Sequence, residues 1–293
     1  MIPGFLKAEL EEKLKAQTGT DIYISGEVSV SGGCINRCFK LETSSGNFFL
    51  KCNDAGRYPR MFEAEAQGLE LLHHANSIPV PKVIACSEIN DVSYLLMEWI
   101  ESGKHIKNFW SDFGNKLAGL HRKTADSFGL DLDNYIGSLG QSNRQHNNWA
   151  DFFIHERMEP QLKLAVAKGI IDNGFIKRFN ILFLRLDKLL SQEKPALLHG
   201  DLWNGNYVVN PRGEATLIDP AVYYGHREMD LAMTKLFGGF DPEFYEAYND
   251  SFPLEKGFES RIDIHNLYPL IVHVNLFGGG YADQVMAVLR KFA

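Results

Sequence analysis

Asp201, Asn206 and Asp219 are the residues of this chain whose types and spacing point most directly to chemistry. They stand in Leu198-His199-Gly200-Asp201-Leu202-Trp203-Asn204-Gly205-Asn206 and in Leu217-Ile218-Asp219-Pro220. A carboxylate, an amide on the same loop and a second carboxylate after a short interval suit the transfer of a phosphoryl group from a metal-bound nucleotide to a hydroxyl. That reaction spreads negative charge over the γ-phosphate oxygens, so a site needs cations bridging the phosphates and one carboxylate that reaches the acceptor. Asp201 is the candidate base. Magnesium takes hard oxygen ligands and keeps waters, so the Asn206 carbonyl and the Asp219 carboxylate suffice once phosphates complete the shell.

An aspartate in a glycine-containing turn is more often a turn former; it is the full set that points to catalysis. Tyr207-Val208-Val209 and Ala215-Thr216-Leu217-Ile218 read as two strands around Asn210-Pro211-Arg212-Gly213, and such a hairpin would bring both metal ligands to one edge. His199 reads as a brace for the loop rather than a metal ligand, because no second His or Cys stands at ligand spacing.

If the back of the chain supplies base and metal ligands, the front must supply a phosphate cover and a cation. Ser31-Gly32-Gly33-Cys34 lies between two expected strands, where Gly32 and Gly33 let the backbone approach phosphates and present N–H groups. A plain turn is the competing reading. Phe48-Phe49-Leu50-Lys51 ends an apolar strand on one lysine, the position from which kinases contact the α- and β-phosphates, although such a lysine is ordinarily a solvated edge. An acidic helix follows, and Glu65, in register with Leu69 and Leu72, is expected to point inward while Glu63 faces water. Leu95-Leu96-Met97-Glu98-Trp99-Ile100 joins the two halves, and its extended backbone at Glu98, Trp99 and Ile100 could meet adenine.

These elements imply an α+β fold of two lobes. Residues 1–98 read as an N-terminal antiparallel sheet with one main helix, Met61 to His74, preceded by a short amphipathic helix carrying Phe5, Leu6, Leu10 and Leu14. Residues 99–293 read as mostly helical, with one helix marked by Phe109, Trp110, Phe113, Leu117 and Leu120. Others are expected over Trp149 to Lys168, Phe175 to Leu190, Met229 to Phe237, Pro242 to Asn249, Ile262 to Leu276 and Tyr281 to Phe292. At 293 residues and 45% hydrophobic content the chain can bury a sizeable core. Thirty basic against 37 acidic side chains, net -7, with no long basic run, disfavour nucleic acid and anionic lipid as partners. No stretch suits a membrane span and the first residues do not resemble a signal core, so a cytoplasmic location is expected. The four cysteines, Cys34, Cys38, Cys52 and Cys86, lack paired zinc spacings and are expected to be reduced thiols.

Taken together, Met61-Phe62-Glu63-Ala64-Glu65, His199-Gly200-Asp201-Leu202-Trp203-Asn204-Gly205-Asn206, Ile218-Asp219-Pro220-Ala221 and Arg227-Glu228-Met229-Asp230-Leu231-Ala232 resemble the fructosamine kinase (ketosamine-3-kinase) family. The resemblance extends to Asp133-Asn134-Tyr135-Ile136-Gly137, to Trp149 through Leu164 and to Phe277-Gly278-Gly279-Gly280-Tyr281, essentially the whole chain. It implies a protein-kinase-like fold shared with aminoglycoside and choline phosphotransferases. It further implies an ATP- and Mg2+-dependent kinase that phosphorylates the 3-hydroxyl of ribulosamine, erythrulosamine or fructosamine adducts, free or protein-bound, in deglycation or repair. By the same resemblance Asp201 is the proton acceptor, Asn206 and Asp219 hold magnesium, Lys51 and Glu65 position phosphates, and Glu98 to Ile100 line the adenine site. Asp230 would brace the catalytic loop.

Trp203 is expected to pack on the sugar, with a buried core tryptophan as the competing reading, and Gln141, Asn143, Trp149 and Arg157 fall where the family builds its acceptor pocket. Cys34 is a redox candidate, since a thiol among phosphate-binding N–H groups should be acidified; a buried, inert thiol is the competing reading. Within kinases the alternative is a phosphotransferase for an aminoglycoside, choline or another small hydroxyl compound; aminoglycosides are polycations, yet Gly137 to Trp149 carries no acidic residue. A pseudokinase would have lost Asp201, Asn206, Asp219 or Lys51, and all four are present. A metal-dependent phosphohydrolase built on His199 and Asp201 would need further His or Asp ligands nearby. Monomer and homodimer both remain open.

Overall fold

Strand alternation decides where the front half sends its side chains. The structure is a computed structural model that describes residues 2–30 and 35–292; Gly32, Gly33 and Cys34, the expected phosphate cover and redox candidate, lie outside the described residues. The chain forms two compact units, one running to Ile106 and including Val208–Ile218, the other comprising Lys107–Tyr207 and the chain from Asp219 onward.

In the first unit, β1 (Ile24–Ser29), β2 (Arg37–Thr43), β3 (Gly46–Asp54), β4 (Val83–Ile89) and β5 (Val92–Glu98) make one antiparallel sheet in the order β1-β2-β3-β5-β4. Helix α1 (Gly4–Thr18) repeats leucine at positions 6, 10 and 14, one stripe of an amphipathic helix. That stripe is buried with Phe39, Leu41, Leu50, Cys52, Tyr94 and Leu96 from one face of β2, β3 and β5. Because successive strand residues point to opposite faces, Lys51, set between Leu50 and Cys52, must project to the other face, toward α2 (Met61–Ala75). The hairpin strands Tyr207–Val209 and Ala215–Leu217 pair with each other. These strands are held within the first unit by Gly103 N–H donating to the Val209 carbonyl (2.7 Å) and Leu217 N–H to that of Pro79 (2.9 Å).

The second unit is mostly helical around a large apolar core that includes Phe152, Phe153, Leu162, Phe179, Leu198, Tyr223 and Leu267. Its sequence pattern holds in outline and fails at breaks. The run from Trp149 is α-helical to Phe152, π-helical over Phe153–Met158 and α-helical again over Glu159–Ala167. The helix expected over Ile262 to Leu276 is two helices, Phe258–His265 and Leu267–Phe277, parted at Asn266, whose side-chain N–H2 donates to the Ala232 carbonyl (2.9 Å). Short strands Ala196–Leu198 and Tyr223–Gly225 pair antiparallel just ahead of the catalytic loop. Among the described residues no helix is long and apolar enough to cross a membrane.

Candidate active site

The two sets of candidate residues fall in different units. In the first, Lys51 Nζ lies 2.6 Å from Glu65 Oε1 with both side chains nearly covered. Glu63 stays at the surface, where Arg60 Nε donates to it at 2.7 Å. Burying a lysine is expensive unless a carboxylate compensates, so this pairing inside strand β3, which continues past Lys51 to Asp54, is not an idle surface contact. At the end of β5 the Glu98 N–H donates to the Lys82 carbonyl (2.9 Å). Trp99 packs on Phe49 with ring centroids 6.1 Å apart, and Lys40 Nζ sits 5.1 Å from its ring centre.

In the second unit, the loop after Ala196–Leu198 is fixed by backbone bonds. Asp230, buried on the helix Glu228–Leu236, accepts the N–H groups of His199 (2.8 Å, Oδ2) and Gly200 (2.9 Å, Oδ1). His121 Nε2 lies 3.2 Å from the same Oδ2, and despite burial His121, with help from the His199 ring and the Gly200 N–H, holds the Asp230 carboxyl below its ordinary range. His199 is fully buried, and its Nδ1 accepts the Asp201 N–H at 3.2 Å. Gly200 is required here: its φ is +83°, and a Cβ would stand 2.1 Å from the Ala221 carbonyl oxygen.

Asn206 then locks the base. Its Nδ2 donates to the Asp201 backbone carbonyl (2.7 Å) and to Asp201 Oδ2 (2.8 Å). With both amide hydrogens committed, the Asn206 carbonyl oxygen is left for another partner. Asp219 takes a left-handed backbone, φ +54°, before Pro220, and its carboxylate is exposed. A strained non-glycine residue of this kind is characteristic of functional turns. One amide oxygen and one accessible carboxylate are a donor set that fits magnesium. Burial pushes the Asp201 carboxyl up to about 7, with the negative charges of Asp219 and Asp230 adding to the rise and the Asn206 hydrogen bond opposing it.

Asp201 and Gly200 open onto a pocket whose wall includes Ile136, Met229, Met233, Tyr268, Val272 and His273. Sequence reasoning named none of these six as site residues, because they come from separated elements and carried only core-like periodicity. Four of the expected acceptor residues need correction. Arg157 is wholly buried, donating to the Ser142 carbonyl (2.5 Å) and to Asn143 Oδ1 (2.6 Å) and lying 4.0 Å from the Tyr223 ring centre. Asn143 is also fully covered and donates to the Leu132 carbonyl. Trp149, 3% exposed, stacks on Phe152 in the core. Gln141 accepts from the Tyr268 hydroxyl (2.5 Å) and donates to Asn134. These enclosed side chains are not part of the pocket wall; Gln141 and Arg157 back it through Tyr268. Trp203 differs, being 36% exposed.

Gly205 exists to admit that indole, since a Cβ there would fall 2.4 Å from the Trp203 ring. Gly205→Ala should therefore cost little stability, under about 1.5 kcal/mol, while displacing the ring. A red-shifted, more quenchable tryptophan emission, absent when the same change is made in a Trp203→Phe background, is the expected readout.

The pattern of the fructosamine kinase family matches residues 6–293. The chain belongs to that family. A "Probable ketoamine kinase" from Synechocystis sp. is 39% identical over 285 residues, covering 96% of this chain and 95% of the relative. The "Protein-ribulosamine 3-kinase, chloroplastic" of Arabidopsis thaliana is 38% identical over 268 residues, covering 90% of this chain and 81% of the relative. Among solved structures, "Putative fructosamine-3-kinase" from Haemophilus somnus 129PT superposes with a TM-score of 0.89 at 30% identity, covering 98% of this chain and 99% of that one. Aminoglycoside phosphotransferase APH(4)-Ia, at 14% identity and a TM-score of 0.63, shares the fold. The α+β protein-kinase-like architecture of this fructosamine kinase family member is thus shown, and it is a kinase that phosphorylates a hydroxyl group.

Proposed function

We propose that this family member transfers the γ-phosphoryl group of ATP to the 3-hydroxyl of a ketosamine, an adduct in which a ketose carries an amine through an Amadori linkage. Asp201 accepts the hydroxyl proton, and the carboxylate is presented to the pocket by the two Asn206 hydrogen bonds. Lys51, fixed by Glu65, positions the α- and β-phosphates, Gly32 and Gly33 cover them, and the backbone at Glu98 to Ile100 meets adenine. Magnesium held by Asn206 and Asp219 would offset the charge of the phosphates. The 3-phosphate product decomposes to release the amine, which makes the reaction a repair step.

The observation that carries the acceptor class is the make-up of the pocket. Its wall is apolar and aromatic apart from Asp201, Asp230 and His273, and the Asp230 carboxylate is already occupied by two backbone N–H groups and His121. A polycationic aminoglycoside would want several free carboxylates; a compact sugar needs one base and an apolar surround. The relatives named above act, by name, on ketoamines and ribulosamines.

ATP consumption measured against ribulosamine, fructosamine, aminoglycoside and choline acceptors tests the assignment, with Asp201→Asn as blank. Turnover is expected with ketosamines and about 10²-fold or more lower in the variant. Activity confined to choline or an aminoglycoside would refute it.

A further inference from the structure

A strip of rings leads outward from the pocket and is not needed for proton transfer. His273 lines the pocket with Asp201. Its ring centre lies 4.9 Å from Phe237, 5.3 Å from Phe277 and 5.0 Å from Tyr281, and Phe237 meets the edge of Trp203 at 6.0 Å. Five rings from three separate segments therefore form one chain of contacts that starts at the base. The turn Gly278-Gly279, with φ of +65° and +63°, folds the backbone so that Phe277 and Tyr281 both reach His273.

Two features set this strip apart from core packing. Phe277 is 56% exposed and Trp203 36% exposed, and among the described residues of the second unit every other Phe, Tyr and Trp side chain is at least partly buried. The imidazole at its head also has a fixed polarity. His273 Nδ1 lies 2.7 Å from the Pro269 carbonyl oxygen, so Nδ1 carries the hydrogen and donates it. Nε2 is then a lone-pair acceptor on a neutral ring, a state that burial also favours. A neutral acceptor takes a hydrogen bond from a sugar hydroxyl and does not repel a cation.

We propose that this strip is the subsite for the amine-bearing end of the acceptor: the sugar sits between Asp201 and His273 Nε2, and the protonated secondary amine with its alkyl chain lies over the rings of Trp203, Phe237 and Phe277. The inference rests on the ketosamine reading and specifies what that reading leaves open. An Amadori nitrogen is a dialkylamine, cationic at neutral pH and flanked by CH2 groups, which is the kind of ligand that aromatic faces hold through cation–π attraction and apolar contact together. The subsite selects for an alkylammonium rather than for a particular protein sequence, so it would accept lysine side-chain adducts and free amine adducts alike.

Phe277 is the ring to change, since its exposure makes a folding defect implausible. Steady-state kinetics with the ribulosamine adduct of Nα-acetyl-lysine would be compared in wild type, Phe277→Leu and Phe277→Tyr. Leucine keeps apolar bulk and removes the π face; tyrosine keeps the face. The leucine variant is expected to raise the KM for the adduct about two- to fivefold, the loss of one exposed cation–π contact, with kcat and the KM for ATP unchanged, and the tyrosine variant to match wild type. An unchanged KM in Phe277→Leu overturns the subsite, as does a rise that tyrosine fails to restore or that is shared by ATP. Wild-type protein that turns over no ketosamine overturns the functional reading and the subsite together, a result distinct from turnover with an indifferent Phe277.

Discussion

Asp201→Asn should reduce kcat by about 10²–10⁴-fold, the range for loss of a positioned general base, while leaving the protein at least as stable as wild type at pH 8. The first half follows from chemistry: asparagine cannot take the acceptor's proton. The second follows from electrostatics, because an amide oxygen at this position still accepts from Asn206 Nδ2 and a penalised charge has been removed. Asp201 is pushed up to about 7 from an ordinary 3.8. A carboxyl raised in this way contributes stability that is fully present below about pH 4 and lost as pH climbs through about 7, since the native chain holds its proton where the unfolded chain releases it. Thermal melting of the two proteins should accordingly show the variant gaining on wild type between pH 4 and 8. A variant that is inactive and also markedly less stable at pH 8 would mean that Asp201 holds the loop together, and that its loss of activity says nothing about proton transfer.

How much of this could be read from the residue string depends on whether the determining forces were local. The pairing of Lys51 with Glu65 was legible because two periodicities fix it: strand alternation turns Lys51 away from Leu50 and Cys52, and the helical register of Glu65 with Leu69 and Leu72 turns it inward. The loop from His199 to Asn206 was legible as a motif, and its bracing by Asp230 could be anticipated. The β4–β5 hairpin has a local signal too, since Asn90-Asp91, with φ of +46° and +62°, is a two-residue turn between Val83–Ile89 and Val92–Glu98. Arg157, Asn143, Gln141 and Trp149 fall where the family resemblance implies an acceptor pocket, and position along the chain does not tell a ligand contact from an interior network. Only packing reveals that Arg157 is enclosed by Tyr223, Phe152 and the Ser142 carbonyl. The pocket wall was invisible for the same reason, since Ile136, Met229, Met233 and Tyr268 meet only in three dimensions.

The largest expected loss of stability lies behind the site, at Glu228. Its carboxylate, fully buried, accepts Arg261 Nε at 2.8 Å and Nη2 at 2.5 Å, and His265 Nε2 lies 3.2 Å away. These contacts overcome burial and hold Glu228 down at about 2. His226, Glu228 and His265 place ligand-type atoms within 4.8 Å of one another, but the charge of Glu228 is already matched by a bidentate arginine, so the trio is better explained as an interior ion-pair network than as a metal site. Glu228→Ala leaves the Arg261 guanidinium buried and uncompensated, for which a loss of about 3–5 kcal/mol is expected. Arg261→Met alone should destabilise as well, yet the double variant should recover much of the loss, because no unmatched charge remains. The cycle is read from denaturant midpoints, with slopes checked for constancy. Since Glu228 begins the helix that carries Asp230, the single variant should also loosen the His199 and Gly200 backbone bonds and lower kcat at temperatures well below its own melting. A Glu228→Ala protein within about 1 kcal/mol of wild type would show that water reaches Arg261 readily, and that the loop owes its geometry to Asp230 and His121 alone.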